Sequence, residues 1–276
     1  MVITAAQVNN LRAITGAGMM DCKKALVEAN GDTQAAIDIL RKKGQKVAAK
    51  RGDNEAKEGI TIAKIFNNGK TGVILALNCE TDFVAKNESY YKLVDSFVDL
   101  AGKTRPASLE SFMNEKYDAS LTVAEKITEQ VGVIGEKLEL SNLSILDGET
   151  VVAYNHPGNQ IATLVALNKS GETVADAGRQ VAMQVAAMSP IALNKDGVDA
   201  DTVRREVEIG KELAIQEGKP ADMAEKIAQG RLQKFFKENT LLSQEFIRDN
   251  KKSVEQFLND TEKGLTVSDF KRVALK

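Results

Sequence analysis

Two stretches decide the fold of this chain: EGITIAKIFNNGKTGVILALN at residues 58–78 and DGETVVAYNHPGNQIATLVALN at residues 147–168. Each alternates apolar and polar residues, breaks at a glycine-containing turn (Asn67-Asn68-Gly69 or the turn around Pro157-Gly158), then runs apolar. That is the pattern of a β-hairpin. The two stretches also match each other. Gly148 answers Gly59 and Gly158 answers Gly69; after a one-residue shift, Ala166-Leu167-Asn168 answers Ala76-Leu77-Asn78, and Val174-Ala175 answers Val84-Ala85. A helical pattern follows each. Residues 84–101 place Tyr91, Val94, Phe97, Val98 and Ala101 on one face, and Val174, Ala177, Val181 and Val185 do the same in the second copy. One strand–turn–strand–helix plan written twice predicts an α+β fold, with antiparallel sheets in two duplicated subdomains. These are residues 59–140, and residues 141–198 together with 238–276.

Working outward, residues 1–50 predict three short helices. Thr4 can cap the first, whose apolar face is Val8, Leu11 and Ile14; Gly16 and Gly18 end it. Asp21 can cap a second carrying Cys22, Ala25, Leu26 and Ala29. Asn30-Gly31 turns the chain, and Asp32 or Thr33 caps a third with Ala36, Ile37 and Leu40 inward. The charged stretch RKKGQKVAAKRGDNEAKEG follows and reads as a solvated linker, with its boundary placed at residues 51–58. Its basic residues are also able to touch phosphate. Residues 121–135 are helical, and KLELSNLSIL returns to strand. Residues 199–237 form an antiparallel coiled-coil hairpin broken at Gly218-Lys219-Pro220. Asp199 or Asp201 caps its first helix, and its apolar stripes are Val203, Val207, Gly210 and Ala214 on one side, Met223, Ile227 and Phe235 on the other. SVEQFLND suggests a small helix, and GLTVSDFKRVALK an edge strand.

Composition narrows the function. A net charge of −2 over 276 residues provides no global basic field for nucleic acid. No apolar run reaches the roughly 20 residues of a membrane span, and the first residues lack a secretory signal layout. A cytoplasmic location is expected, and Cys22 and Cys79 are then free thiols; two lone cysteines do not make a zinc site. His156 is the only imidazole, so any triad chemistry must pass through it, and it stands in a turn before proline. There is no GxxxxGK[ST] loop and no GxGxxG after a strand. A binding protein is favoured over an enzyme, although carboxylates remain available for acid–base work.

Two motifs add an identification. TGAGMMDCKKAL at residues 15–26 and NCETDFVAKN at residues 78–87, in this order around the duplicated core, the YNHPG turn and the helical hairpin, resemble the elongation factor Ts family along essentially the whole chain. The resemblance implies a ubiquitin-associated-like N-terminal domain and a guanine nucleotide exchange factor for elongation factor Tu, without cofactor, bound metal or catalytic residues. The partner is met in its GDP-bound and nucleotide-free states, with no membrane and no direct nucleic-acid contact. Thr81, Asp82, Phe83 and Val84 correspond to the family segment that enters beside the partner's nucleotide and disturbs its magnesium. Arg12, Met19 and Met20 correspond to contacts of the N-terminal domain, and His156 is a candidate in the second core half. A homodimer through the hairpin and a heterotetramer with elongation factor Tu both stay open. Longer family members continue into a further helical module beyond the final strand, which this sequence does not carry.

Each of these residues also has a plainer reading. Phe83 fits a core position at the start of a helix. Asp82 or Thr81 fits a helix cap, Val84 a packing residue. Of Met19 and Met20, one buried and one exposed is expected. Arg12 and His156 fit solvated surface. A ubiquitin-associated-like or RNA-binding module is the alternative function, since fold alone does not fix function.

Overall fold

The computed structural model describes residues 2–275, side chains at 221 and 222 excepted. Three helices open the chain: α1 (Ala5–Thr15), α2 (Met19–Glu28) and α3 (Thr33–Arg51). Thr4 and Gln7 form a reciprocal capping box on α1, and Gly16 closes it in the left-handed conformation. Val8 and Leu11 are buried, but the third inward position is Thr15 rather than Ile14, which is 55% exposed. A step of four from Leu11 keeps the stripe on one face, and the Thr15 hydroxyl donates to the Leu11 carbonyl at 2.8 Å. Asp21 does not cap α2, which begins at Met19 behind Gly18; Asp21 pairs with Lys43 instead. Asp32 caps α3.

The stretch 41–51 is helix, not linker. α3 continues to Arg51 because its glycine meets another. Gly44 lies against Gly132 of a later helix, and a Cβ on Gly132 would come 2.5 Å from the Gly44 Cα. Two small residues let the backbones approach closely enough for Val47 and Ala48 to reach the first core. The charged side chains that suggested a solvated segment cover the outside of that helix.

Then come β1 (Glu58–Phe66), β2 (Thr71–Cys79), α4 (Asp82–Ala85), α5 (Glu88–Thr104), α6 (Leu109–Met113), α7 (Val123–Ile134) and β3 (Glu139–Asp147). The order β1-β2-β3 makes an antiparallel sheet. The second half runs β4 (Thr150–Asn155), β5 (Ile161–Leu167), α8 (Glu172–Met188), α9 (Ala200–Gln216), α10 (Ala221–Asn239), β6 (Glu245–Phe246), β7 (Asp249–Ser253), α11 (Val254–Thr261) and β8 (Val267–Ala274). Its sheet has the matching order β4-β5-β8, with β8 at an edge. The register of each central strand shifts at the same place in the repeat, between Ala76 and Leu77 and between Ala166 and Leu167. Gly59, at φ +146°, is required there: a Cβ would stand 2.8 Å from the Asn78 Cα.

The sheets pack face to face through small residues, among them Ala63, Ala76, Ala162 and Ala166 with Ile74 and Leu164. Their outer faces are covered by α5, α6 and α7 on one side and by α8 and α11 on the other. β2 is therefore buried at every position, which explains its unbroken apolar run. The inward face of α5 uses Tyr90, Leu93, Val94, Phe97, Val98 and Ala101, whereas Tyr91 is 40% exposed. Tyr90 wins the inner place because its hydroxyl finds the Leu77 carbonyl at 2.8 Å.

Asp199 caps α9, and α10 folds back along it. Gly210 and Ala214 face Ala224, Ala228 and Leu232; Met223 is 51% exposed and Ile227 and Phe235 only half-buried. The seam on α10 is one position later than the sequence pattern suggests. Alanine is the reason: Gly210 meets the Ala228 backbone, and larger side chains would hold the helices apart.

Candidate functional site

The segment 78–87 leaves the end of β2 and turns sharply into α4. Nearly every residue in it has an intramolecular task. Asn78 donates to the Ala56 carbonyl at 3.0 Å and accepts from Ser141 at 2.5 Å. Cys79 is buried, its S–H pointing to the Thr81 carbonyl at 3.2 Å, and burial pushes the thiol pKa up to about 11. Glu80 accepts from the Lys137 amide at 2.6 Å, from Arg51 Nη1 on both carboxylate oxygens at 2.8 and 2.9 Å, and from Asn54 at 3.0 Å. The Lys137 amide, then Arg51 and Asn54, hold the Glu80 carboxyl below the usual carboxylate range. Thr81 is the N-cap of α4. Asp82 is not the cap; it pairs with Lys86 at 2.6 Å, and that hydrogen bond lowers its pKa. Val84 and Ala85 pack on the first core, and Asn87 caps α5.

Phe83 is the exception. It is 83% exposed, with its ring held out between two anchored neighbours. The core reading of this residue is overturned, because Val84 and Ala85 already fill the inward positions of the single turn. A large aromatic side chain is thus left in water on a pinned turn.

The N-terminal motif repeats that logic. Thr15, Ala17, Cys22, Ala25 and Leu26 are buried, while Met19 at 54% and Met20 at 62% are both exposed. Both stand in the first turn of α2 behind Gly18, where Cys22 takes the inward place, and neither methionine turns in. Arg12 is exposed on the last turn of α1. His156 is exposed too, with Nδ1 at 2.9 Å from the Tyr154 hydroxyl. Its turn covers the open edge of β1: the Thr61 amide donates to the Asn159 carbonyl at 2.6 Å, and Asn155 bonds both the amide and the carbonyl of Ala63.

These residues form three separate stations: Arg12, Met19 and Met20 on the helical unit, residues 81–84 at the end of β2, and His156 beside β1. The first two are joined through Arg51 and Glu80. Sequence reasoning missed Glu80, Arg51 and Glu136, whose partners lie 26 to 57 residues away along the chain and leave no local signal. Among the described residues no cluster of histidine, cysteine and carboxylate side chains is able to hold a metal, and no helix is long and apolar enough to cross a membrane.

The family model described as Elongation factor TS matches residues 80–276. The elongation factor Ts of Christiangramia forsetii is 51% identical over 273 residues, covering 99% of this chain and 98% of its own. The chain belongs to the elongation factor Ts family. The elongation factor Ts of Flavobacterium psychrophilum is 50% identical over the same extent, and that of Porphyromonas gingivalis 44% identical over 275 residues. As an elongation factor Ts, the protein is the nucleotide exchange factor for elongation factor Tu in translation elongation, and it is not an enzyme.

Proposed function

We propose that Phe83 is the wedge of the exchange reaction, presented by Thr81, Asp82 and Val84, and that it enters elongation factor Tu beside the nucleotide and disturbs the magnesium and phosphate contacts of GDP. One observation carries this reading: within residues 78–87, Phe83 alone among the large apolar side chains is left in water while its flanks are anchored. Magnesium neutralises the β-phosphate charge, so displacing its ligands weakens GDP directly. Whatever weakens GDP when the factor is bound weakens the factor when GDP is bound, by the same amount. A coupling of ~1–3 kcal/mol corresponds to ~5–150-fold, so a large acceleration draws on more than one contact. Arg12, Met19 and Met20 supply a second contact, and His156 a third. Methionine pairs suit such a surface because their side chains adapt to the partner.

The finer architecture follows the same reading. The helical unit 1–50 is a ubiquitin-associated-like domain. The two sheets are copies of one subdomain; the expected boundary at 140/141 moves to 147/148, because β3 (Glu139–Asp147) pairs with β2, which leaves 59–147 and 148–198 with 238–276. The α9–α10 pair is a coiled-coil insertion whose exposed Ile209, Leu213 and Met223 support a homodimer or a heterotetramer with elongation factor Tu. The working compartment is the cytoplasm.

The test is the release of fluorescent GDP from elongation factor Tu. Strong acceleration by the wild type and loss of most of it in Phe83→Ala is expected. Truncating a buried aromatic anchor costs about 2 kcal/mol or more, so the loss is about 30-fold or greater. Acceleration that survives the substitution moves the wedge elsewhere on the protein.

A further inference from the structure

The exposed Phe83 ring needs a rigid mount, and α4 is a single four-residue turn with no stiffness of its own. Its mount comes from Glu136, just beyond α7. One carboxylate oxygen of Glu136 accepts from the amides of Glu80 and Thr81, at 3.1 and 3.0 Å; the other accepts from the Thr81 hydroxyl at 2.6 Å. The half-buried carboxylate thus ties down two successive amides and the capping side chain immediately before the wedge. Glu80 is anchored by the next residue along: the Lys137 amide meets its carboxylate at 2.6 Å, and Lys137 Nζ donates to the carbonyls of Gly52 and Asn54. Residues 136 and 137 therefore hold the turn from one side while Arg51, at the end of α3, holds it from the other.

We propose that Glu136 is a positioning residue of the exchange reaction, orienting Phe83 through the amides of Glu80 and Thr81 and through the Thr81 hydroxyl. The proposal rests on Phe83 being the wedge. Charge-assisted hydrogen bonds to backbone amides are directional and short, so they fix the φ/ψ of the turn in a way that apolar packing of Val84 alone does not. A displacement of about 1 Å at a positioned group is enough to lower a rate substantially.

The experiment is a double-substitution cycle in the full chain: wild type, Glu136→Ala, Phe83→Ala and both together. Fluorescent GDP release from elongation factor Tu is measured as a function of factor concentration, alongside thermal melting. Glu136→Ala is expected to lower the maximal exchange rate by about 10-fold, within the range for residues that share one network. It should change the half-saturating concentration far less. In the Phe83→Ala background it should cost almost nothing further, because there is no ring left to orient. Glu136→Gln, which keeps a carbonyl oxygen for the two amides, should recover part of the rate. If Phe83→Ala lowers exchange but Glu136→Ala does not, or if the two losses multiply, the positioning role is wrong while the wedge stands. If Phe83→Ala has no effect, the wedge reading fails and this inference goes with it. A Glu136→Ala rate loss matched by a lower melting temperature and by equal loss in the Phe83→Ala background means that Glu136 is only structural.

Discussion

Gly132→Ala sets two physical effects against each other. Gly132 is in the last turns of α7, and alanine is favoured over glycine in a helix by up to about 1 kcal/mol. The structure opposes that gain. The new Cβ would sit 2.5 Å from the Gly44 Cα and 3.2 Å from the Gly44 nitrogen. Carbon atoms in contact prefer about 3.5–4.0 Å, so the α3 and α7 backbones must part by about 1 Å. Both atoms are backbone, and no side chain is able to swing away. Overpacking of this kind costs about 1–3 kcal/mol, and separation also loosens Val47 and Ala48 from the first core. The steric effect wins, for a net loss of about 1–2 kcal/mol. Thermal melting should fall by about 2–4 °C per kcal/mol, and amide exchange in the second half of α3 should accelerate. Gly230→Ala is the control: it is in α10 with nothing within 4 Å of its Cβ, so propensity acts alone and stability should rise. A higher melting temperature for Gly132→Ala, with α3 amides as protected as before, would refute the account of how the N-terminal helices dock.

Two further outcomes can be checked with simpler measurements. The Glu80 carboxyl is held below its usual pKa in the folded state, so its contribution is present above the unfolded value of about 4.3 and is lost as pH falls through the lower folded value. Glu80→Gln should cost about 1–2 kcal/mol in urea unfolding at pH 7, with the gap to wild type narrowing toward pH 3; a gap independent of pH would show that charge plays no part. Cys22 and Cys79 are fully buried, and the Cys79 thiol is pushed up to about 11, so both should resist alkylation at pH 8 until the chain is unfolded. Rapid labelling of native Cys79 would contradict the buried turn.

What could be read without coordinates was what local pattern encodes. Alternation and turn residues set the two hairpins and their strand bounds, the internal repeat predicted two sheets of one plan, and glycine with asparagine marked the loops. The register shift at Ala76/Leu77 and at Ala166/Leu167 falls at the Ala-Leu-Asn that the two copies share. The two motifs that carried the family resemblance were also legible, and with them the residues of the candidate interface. Whether those residues were buried was not. Phe83, Met19 and Met20 have the side chains of core residues, and only tertiary packing decided that Val84, Ala85 and Cys22 take the inner places. The same holds for Thr15 over Ile14, for Tyr90 over Tyr91, and for the seam of α10, where positions one residue apart compete and a hydrogen bond or a close backbone contact selects between them. The long α3 was hidden because its charged stretch reads as a solvated linker until Gly44 is placed beside Gly132. Glu136 was invisible for the most general reason: a carboxylate's partners are chosen by proximity in space, and fifty-five residues of chain separate this one from the turn that it holds.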